Sequence, residues 1–228
     1  VSLTQLVSAA ERFSLSDTFG LVAYFTFGLT GALAAMKRGY DVIGILAIAT
    51  ITAAGGGLLR DGLLISRGPS PLLTDGRILI AVLLASIAAL AFHRHVPRVA
   101  KAIAVIDALG LGVFTVHGIQ VSLNAGLSIP GAILGGTITA VGGGLLRDIL
   151  VREEPLLFKP GQFYTLVAIG GSILFLALLR WDAMAPNAAA IVTIAVMFAV
   201  RMLVIRFNWQ TKPMYVESNA LDRRRPPE

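Results

Sequence analysis

Apolar positions in this chain follow neither the two-residue alternation of a half-buried strand nor the one-sided spacing of a surface helix; they run on in long blocks. Seven blocks stand out: Phe19 to Met36, Val42 to about Leu64, about Arg77 to Phe92, Ala102 to Leu123, Ile129 to about Leu150, Phe163 to Leu179, and Ala188 to Ile205. Their usual length, roughly 17 to 22 residues, is the length of helix that crosses about 30 Å of hydrocarbon. The third is short, and the seventh is interrupted by Arg201. The pattern predicts an all-α membrane protein with seven transmembrane helices.

The polar residues that close two of these blocks are identical. Gly55-Gly56-Gly57-Leu58-Leu59-Arg60-Asp61 ends the second block and recurs 87 positions later as Gly142-Gly143-Gly144-Leu145-Leu146-Arg147-Asp148. Gly44 parallels Gly131 at the same offset, Asp17-Thr18-Phe19-Gly20 parallels Asp107-Ala108-Leu109-Gly110 at 90, and Gly28 parallels Gly118 at 90. Pro71-Leu72-Leu73 parallels Pro155-Leu156-Leu157 at 84. These offsets imply a loop three residues shorter in the second copy. They divide the chain into an N-terminal segment (1–16), two three-helix repeats (17–93 and 94–180), a seventh helix (181–206) and a basic tail (207–228). Three is odd, so the second repeat enters the membrane upside down relative to the first, an arrangement found in transport proteins.

Composition agrees with the pattern. Of 228 residues, 56% are hydrophobic and 14% charged, with mean hydropathy +0.79, whereas soluble domains are about a quarter charged. The first 16 residues lack the basic head and apolar core of a cleavable leader. The net charge of +6 lies in the loops and the tail, which points to topology and anionic lipid and not to nucleic acid. With the N-terminus outside, thirteen Lys and Arg fall on inner segments (Lys37, Arg38, Arg94, Arg98, Lys101, Arg147, Arg152, Lys159, Arg206, Lys212 and Arg223 to Arg225). Five fall outside (Arg12, Arg60, Arg67, Arg77 and Arg180), which sets the C-terminus in the cytoplasm. Trp181, Trp209 and Tyr215 suit the membrane interface.

The glycine triplets admit two readings. A triplet lets a helix kink or partly unwind and present carbonyls to a cation, or it lets two helices approach closely. The Arg–Asp ends are costly in hydrocarbon and so belong at a mouth or in a wet cavity. Inversion sets Arg60 and Asp61 toward one entrance, beside Asp17, and Arg147 and Asp148 toward the other, beside Asp107. Asp17 is also a candidate helix cap. An unneutralised arginine would repel a permeating cation by about 4 kcal/mol at 4 Å and an effective dielectric of 20. Either the aspartates cancel it or the arginines act as a gate.

Hydroxyls supply further candidates for a wet path: Thr26, Thr30, Thr50, Thr52, Thr115, Ser122, Thr137 and Thr139, each of which can instead bond back to its own helix. His117 and Gln120 are polar at depth; His117 can titrate near neutrality or bond to a neighbouring helix. Arg201 is expected to reach the inner surface by snorkelling. Enzyme chemistry has no support: the chain has no cysteine, no metal-spaced histidines and no serine with a base, and neither a cofactor nor a structural metal is implied.

Over about residues 15 to 206 the doubled Gly-Gly-Gly-x-x-Arg-Asp pattern, with its triplets and seventh span, resembles the prokaryotic trimeric intracellular cation (TRIC) channels, part of a family that also carries a glycine-transporter label. The resemblance implies a homotrimer with a potassium and sodium path in each protomer, lined by spans one, two, four and five, in the bacterial inner membrane. The basic phosphoinositide motif of the animal members has no match here. The alternative is a secondary transporter of a small amino acid such as glycine, because half-helix ends can also bind a carboxylate.

Overall fold

The apolar blocks fold as helices because only a helix satisfies every backbone N–H and C=O within one segment in a lipid core. A computed structural model describes residues 17–65, 71–92, 99–158, 163–180, 185–207 and 209. Its helices are α1 (Asp17–Lys37), α2 (Val42–Arg60), α3 (Gly76–Phe92), α4 (Val99–Asn124), α5 (Ile129–Leu150), α6 (Tyr164–Arg180) and α7 (Pro186–Phe207). Five are long and apolar enough to span a membrane by themselves. The other two, α3 and α6, have 17 residues each, about 25 Å of helix. The N-terminal segment 1–16 and almost all of the basic tail lie outside the described residues.

The two repeats share their local code. Gly39 and Gly126 take positive φ, 75° and 82°, and turn the chain out of α1 and α4. Two residues on, Asp41 and Ser128 cap α2 and α5 by accepting from the N–H groups of Gly44 and Gly131. The connections are therefore equal in length, and the expected three-residue difference is absent. The offset of 87 carries through the first two helices of each unit. The 90-residue parallels are a near-turn coincidence: three residues almost complete a helical turn, so small residues recur on nearly the same face.

Packing repeats in the same way. In each unit the first helix packs on the second and third, as α1 does on α2 and α3, and α4 on α5 and α6. A Cβ on Gly31 would meet Thr52 Oγ1 at 2.5 Å, and one on Gly118 would meet Thr139 Oγ1 at 2.5 Å. Gly31, not Gly28, is thus the counterpart of Gly118. Between the units α2 crosses α5 and α1 touches α4. There the equivalent rings of Phe27 and Phe114 meet nearly edge-on, with centroids 4.8 Å apart. Helix α7 packs chiefly on α4 and α6, on the second unit's side.

The outer faces of the bundle are apolar and exposed. Leu79, Ile80, Leu83, Leu84 and Ile87 of α3 and Ile191, Val192 and Val196 of α7 lie there, as a lipid-facing surface requires. Arg201 does not snorkel. It is 1% exposed and sits inside the bundle.

Candidate functional site

The glycine triplets meet where α2 crosses α5. A Cβ on Gly56 would collide with the carbonyl of Thr139, and one on Gly143 with the carbonyl of Thr52. Gly55 lies against Gly143 and Leu146, and Gly142 against Gly56 and Leu59. As the position on one helix rises, its neighbour's number on the other falls, so the two helices run antiparallel at the crossing. The first two glycines of each triplet are thus close-packing residues. Both helices keep regular helical backbone through their triplets, so the expected unwinding is not found there. The departure comes later and on one side only: α2 gives way to a π-helical turn, Asp61–Ile65, while α5 continues to Leu150.

The third glycine of each triplet faces an arginine. The nearest atom to a Cβ on Gly57 is Arg60 Nη2 at 3.9 Å; around Gly144 stand Tyr164 Oη at 3.5 Å and Arg147 Nη2 and Asp107 Oδ1 at 3.8 Å. Each arginine lies about one helical turn, roughly 6 Å, beyond the crossing, on opposite sides of it.

At the Arg147 end the polar groups are sealed in. Arg147 Nη1 donates to Asp107 Oδ1 at 3.1 Å and to Thr30 Oγ1 at 3.1 Å, and Nε donates to Asp148 Oδ1 at 2.9 Å. Asp148 Oδ2 accepts from the backbone N–H of Leu156 at 3.1 Å, which ties the loop after α5 to the cluster. None of the three charged residues is more than 5% exposed, so they fill the interior instead of flanking an open mouth. Asp107 and Arg147, expected together from the sequence, are in contact. Below them lie Tyr164, first residue of α6, and Arg201 of α7, whose guanidinium carbon stands 4.9 Å over the tyrosine ring. The sequence reading missed Tyr164 and sent Arg201 to the inner surface. A charge set in an apolar run was the available signal for Arg201, but its packing against α4 and α6 decides its direction.

At the Arg60 end the interior is open. Arg60 is itself buried, pairs with Asp61 at 2.7 Å and donates to Thr139 Oγ1 at 3.3 Å. A cavity of about 380 Å³ reaches this pair, lined among others by Gly20, Tyr24, Asp75, Arg77 and His117. With the offset of 87, Gly20 stands where the second repeat has Asp107. A missing side chain in one repeat and a carboxylate in the other explain why one end is hollow and the other filled. The side chain of Asp17, expected beside Arg60, lies outside the described residues. At the rim Arg77 binds both oxygens of Asp75, at 3.0 and 2.8 Å, and holds that carboxyl below the usual range.

The hydroxyl candidates turn inward on their own helices. Thr26, Thr30, Thr50, Thr52, Thr115, Ser122, Thr137 and Thr139 each donate to a carbonyl three or four residues back, at 2.6 to 2.9 Å. Thr30 and Thr139 also accept from an arginine, which leaves these two as the hydroxyls joined to the charged clusters among the described residues. His117 lines the cavity. Among the described residues no group of three or more His, Asp or Glu is placed to hold a metal ion.

Comparison with known proteins gives a consistent picture. A family model described as Glycine transporter matches residues 16–94 and 104–180, one match for each repeat. The chain is 30% identical over 201 residues to the UPF0126 inner membrane protein YadS of Escherichia coli, covering 88% of this chain and 96% of that one. A structure described as the basis for conductance through TRIC cation channels superimposes with TM-score 0.77 at 31% identity, over 90% of this chain and all of that one. The TRIC trimeric intracellular cation channel orthologue from Rhodobacter sphaeroides gives 0.78 at 28% identity, over 84% and 97%.

Proposed function

This chain belongs to the glycine transporter family, with the TRIC cation-channel fold, and from that premise we propose that it is a passive channel for monovalent cations, potassium and sodium. The observation that carries the reading is the cavity at the Arg60 end, which leads inward to the buried Arg60, paired with the half-buried Asp61 one helical turn beyond the crossing of the duplicated helices. Each protomer of a homotrimer holds one path, lined by α1, α2, α4 and α5, with the N-terminus outside and the C-terminus on the cytoplasmic side of the inner membrane.

In this reading a cation enters past Asp75 and Asp61, whose carboxylates raise its local concentration. Pairing with Asp61 cancels the repulsion that Arg60 would otherwise exert. The glycine crossing forms the waist. The Arg147 end is shut, and passage requires Arg147 to release Thr30, so that the cluster acts as the inner gate.

A second reading, a secondary transporter of glycine or a similar small amino acid, draws on the family description and on the two arginines and two aspartates around one cavity, which suit a zwitterion. Reconstitution into potassium-loaded liposomes separates the two. A channel gives cation flux with no amino acid present. Saturable glycine counterflow without a cation leak would replace the channel reading with the transporter one.

A further inference from the structure

Two departures from the repeat coincide at the Arg147 end. The second repeat has Asp107 where the first has Gly20, and α7, which has no counterpart in the duplication, brings Arg201 to the same place. Among the described residues the buried charges are Arg60, Asp107, Arg147, Asp148 and Arg201. Arg60 has its neighbour Asp61 as partner. Arg147 is shared by two carboxylates, Asp107 and Asp148. Without Arg201 that end would hold one buried negative charge too many. Asp107 is fully buried, and its Oδ2 accepts no hydrogen bond in good geometry among the described residues. A carboxylate oxygen left without a donor in such a place holds a permeating cation.

Arg201 is placed to prevent this. Its guanidinium lies over the Tyr164 ring, the hydroxyl of that ring points toward the space that Asp107 and Arg147 share at Gly144, and Arg201 is within electrostatic reach of Asp107. We propose that Arg201 is a tethered counter-cation for Asp107. It holds the Arg147 end at zero net charge, so that a permeating potassium ion passes without being trapped. The inference rests on the cation-channel reading for its consequence, but the counter-charge itself can be read without current.

The test measures two quantities on purified, reconstituted protein: conductance against potassium activity, and melting temperature in potassium chloride against the chloride of a large organic cation. Arg201→Met removes the charge at similar length, and the double variant Asp107→Asn with Arg201→Met removes both members of the pair. For the single variant, the potassium concentration at half-saturation falls by about tenfold or more and melting becomes potassium-dependent. The double variant returns both readouts to within about twofold of the native protein. A single variant that fails to fold while the double variant folds gives the same support. The inference is overturned if the single variant leaves potassium dependence unchanged, or if the double variant is as damaged as the single one, since Arg201 would then act through packing. A native protein that passes no current, with the melting pattern intact, removes the channel reading and leaves the counter-charge standing.

Discussion

The six motif glycines are chemically identical, yet the crossing assigns them different work. Gly56 and Gly143 each face a carbonyl that an added Cβ would overlap, whereas the space beside Gly57 is free to 3.9 Å. Gly56→Ala is therefore expected to force α2 and α5 apart, with a loss of about 1 to 3 kcal/mol, seen as a lower melting temperature in detergent. Gly57→Ala is expected to fold as well as the native chain. Equal damage from both substitutions would show that the triplet acts through flexibility and not through contact. The Asp107–Arg147 pair gives a second prediction at this scale. Asp107→Asn leaves Arg147 with Asp148 as its one carboxylate partner among the described residues, and removing one member of a buried pair costs about 3 to 5 kcal/mol. The corresponding exposed change, Glu153→Gln, breaks contacts to Lys37 and Arg38 that are one-third to one-half exposed. It is expected to change stability by less than about 1 kcal/mol. Comparing the two melting shifts checks the ranking.

Between residues and the whole stand the helix ends, where the duplicated halves differ most. After α2 the chain widens into a π-helical turn and a cavity, while after α5 it closes through Arg152, at φ 55°, under the loop that joins α1 to α2. That loop is clamped to the tip of α5: Lys37 bonds to Glu153, Arg38 Nη2 donates to the Arg152 carbonyl, and Tyr40 Oη donates to the Leu150 carbonyl. At the open end the rim charge Asp75 is held ionised first by the side chain and then by the backbone of Arg77. Its depressed folded-state pKa means that the stabilising contact is complete above the unfolded value, near 4, and is lost as pH falls through the folded value. Cation flux is therefore expected to be insensitive to outer pH from about 8 to 5 on account of this residue, and to decline only below about pH 4. In Arg77→Gln the decline moves to higher pH. A flux profile that does not move in that variant would remove Asp75 from the entrance.

For the molecule as a whole, the antiparallel crossing makes a topological prediction. The Arg38–Glu153 end and the Asp75 end must face opposite sides of the bilayer. The chain has no native cysteine, so Arg38→Cys and Asp75→Cys can each be probed alone with a membrane-impermeant thiol reagent. Labelling of position 75 from outside and of position 38 only after the membrane is opened is the expected result. Labelling of both from one side would end the inverted-repeat account and the two-ended conduit built on it.

Much of this was legible in the sequence, because long apolar blocks and a doubled motif are constraints that a bilayer imposes directly on the chain. Seven helices, two repeats and the meeting of Asp107 with Arg147 follow from block length, an odd number of spans and inversion. The register within the repeats did not follow: offsets of 87 and 90 both bring similar residues onto similar helix faces, and only the shared caps and the Gly31–Thr52 and Gly118–Thr139 contacts select 87. The division of the glycines into packing and facing positions, the inward turn of the threonine hydroxyls and the burial of Arg201 over Tyr164 were decided by tertiary structure alone. Each depends on which surface of a helix a neighbour covers, and a nearly uniform apolar block carries no record of that.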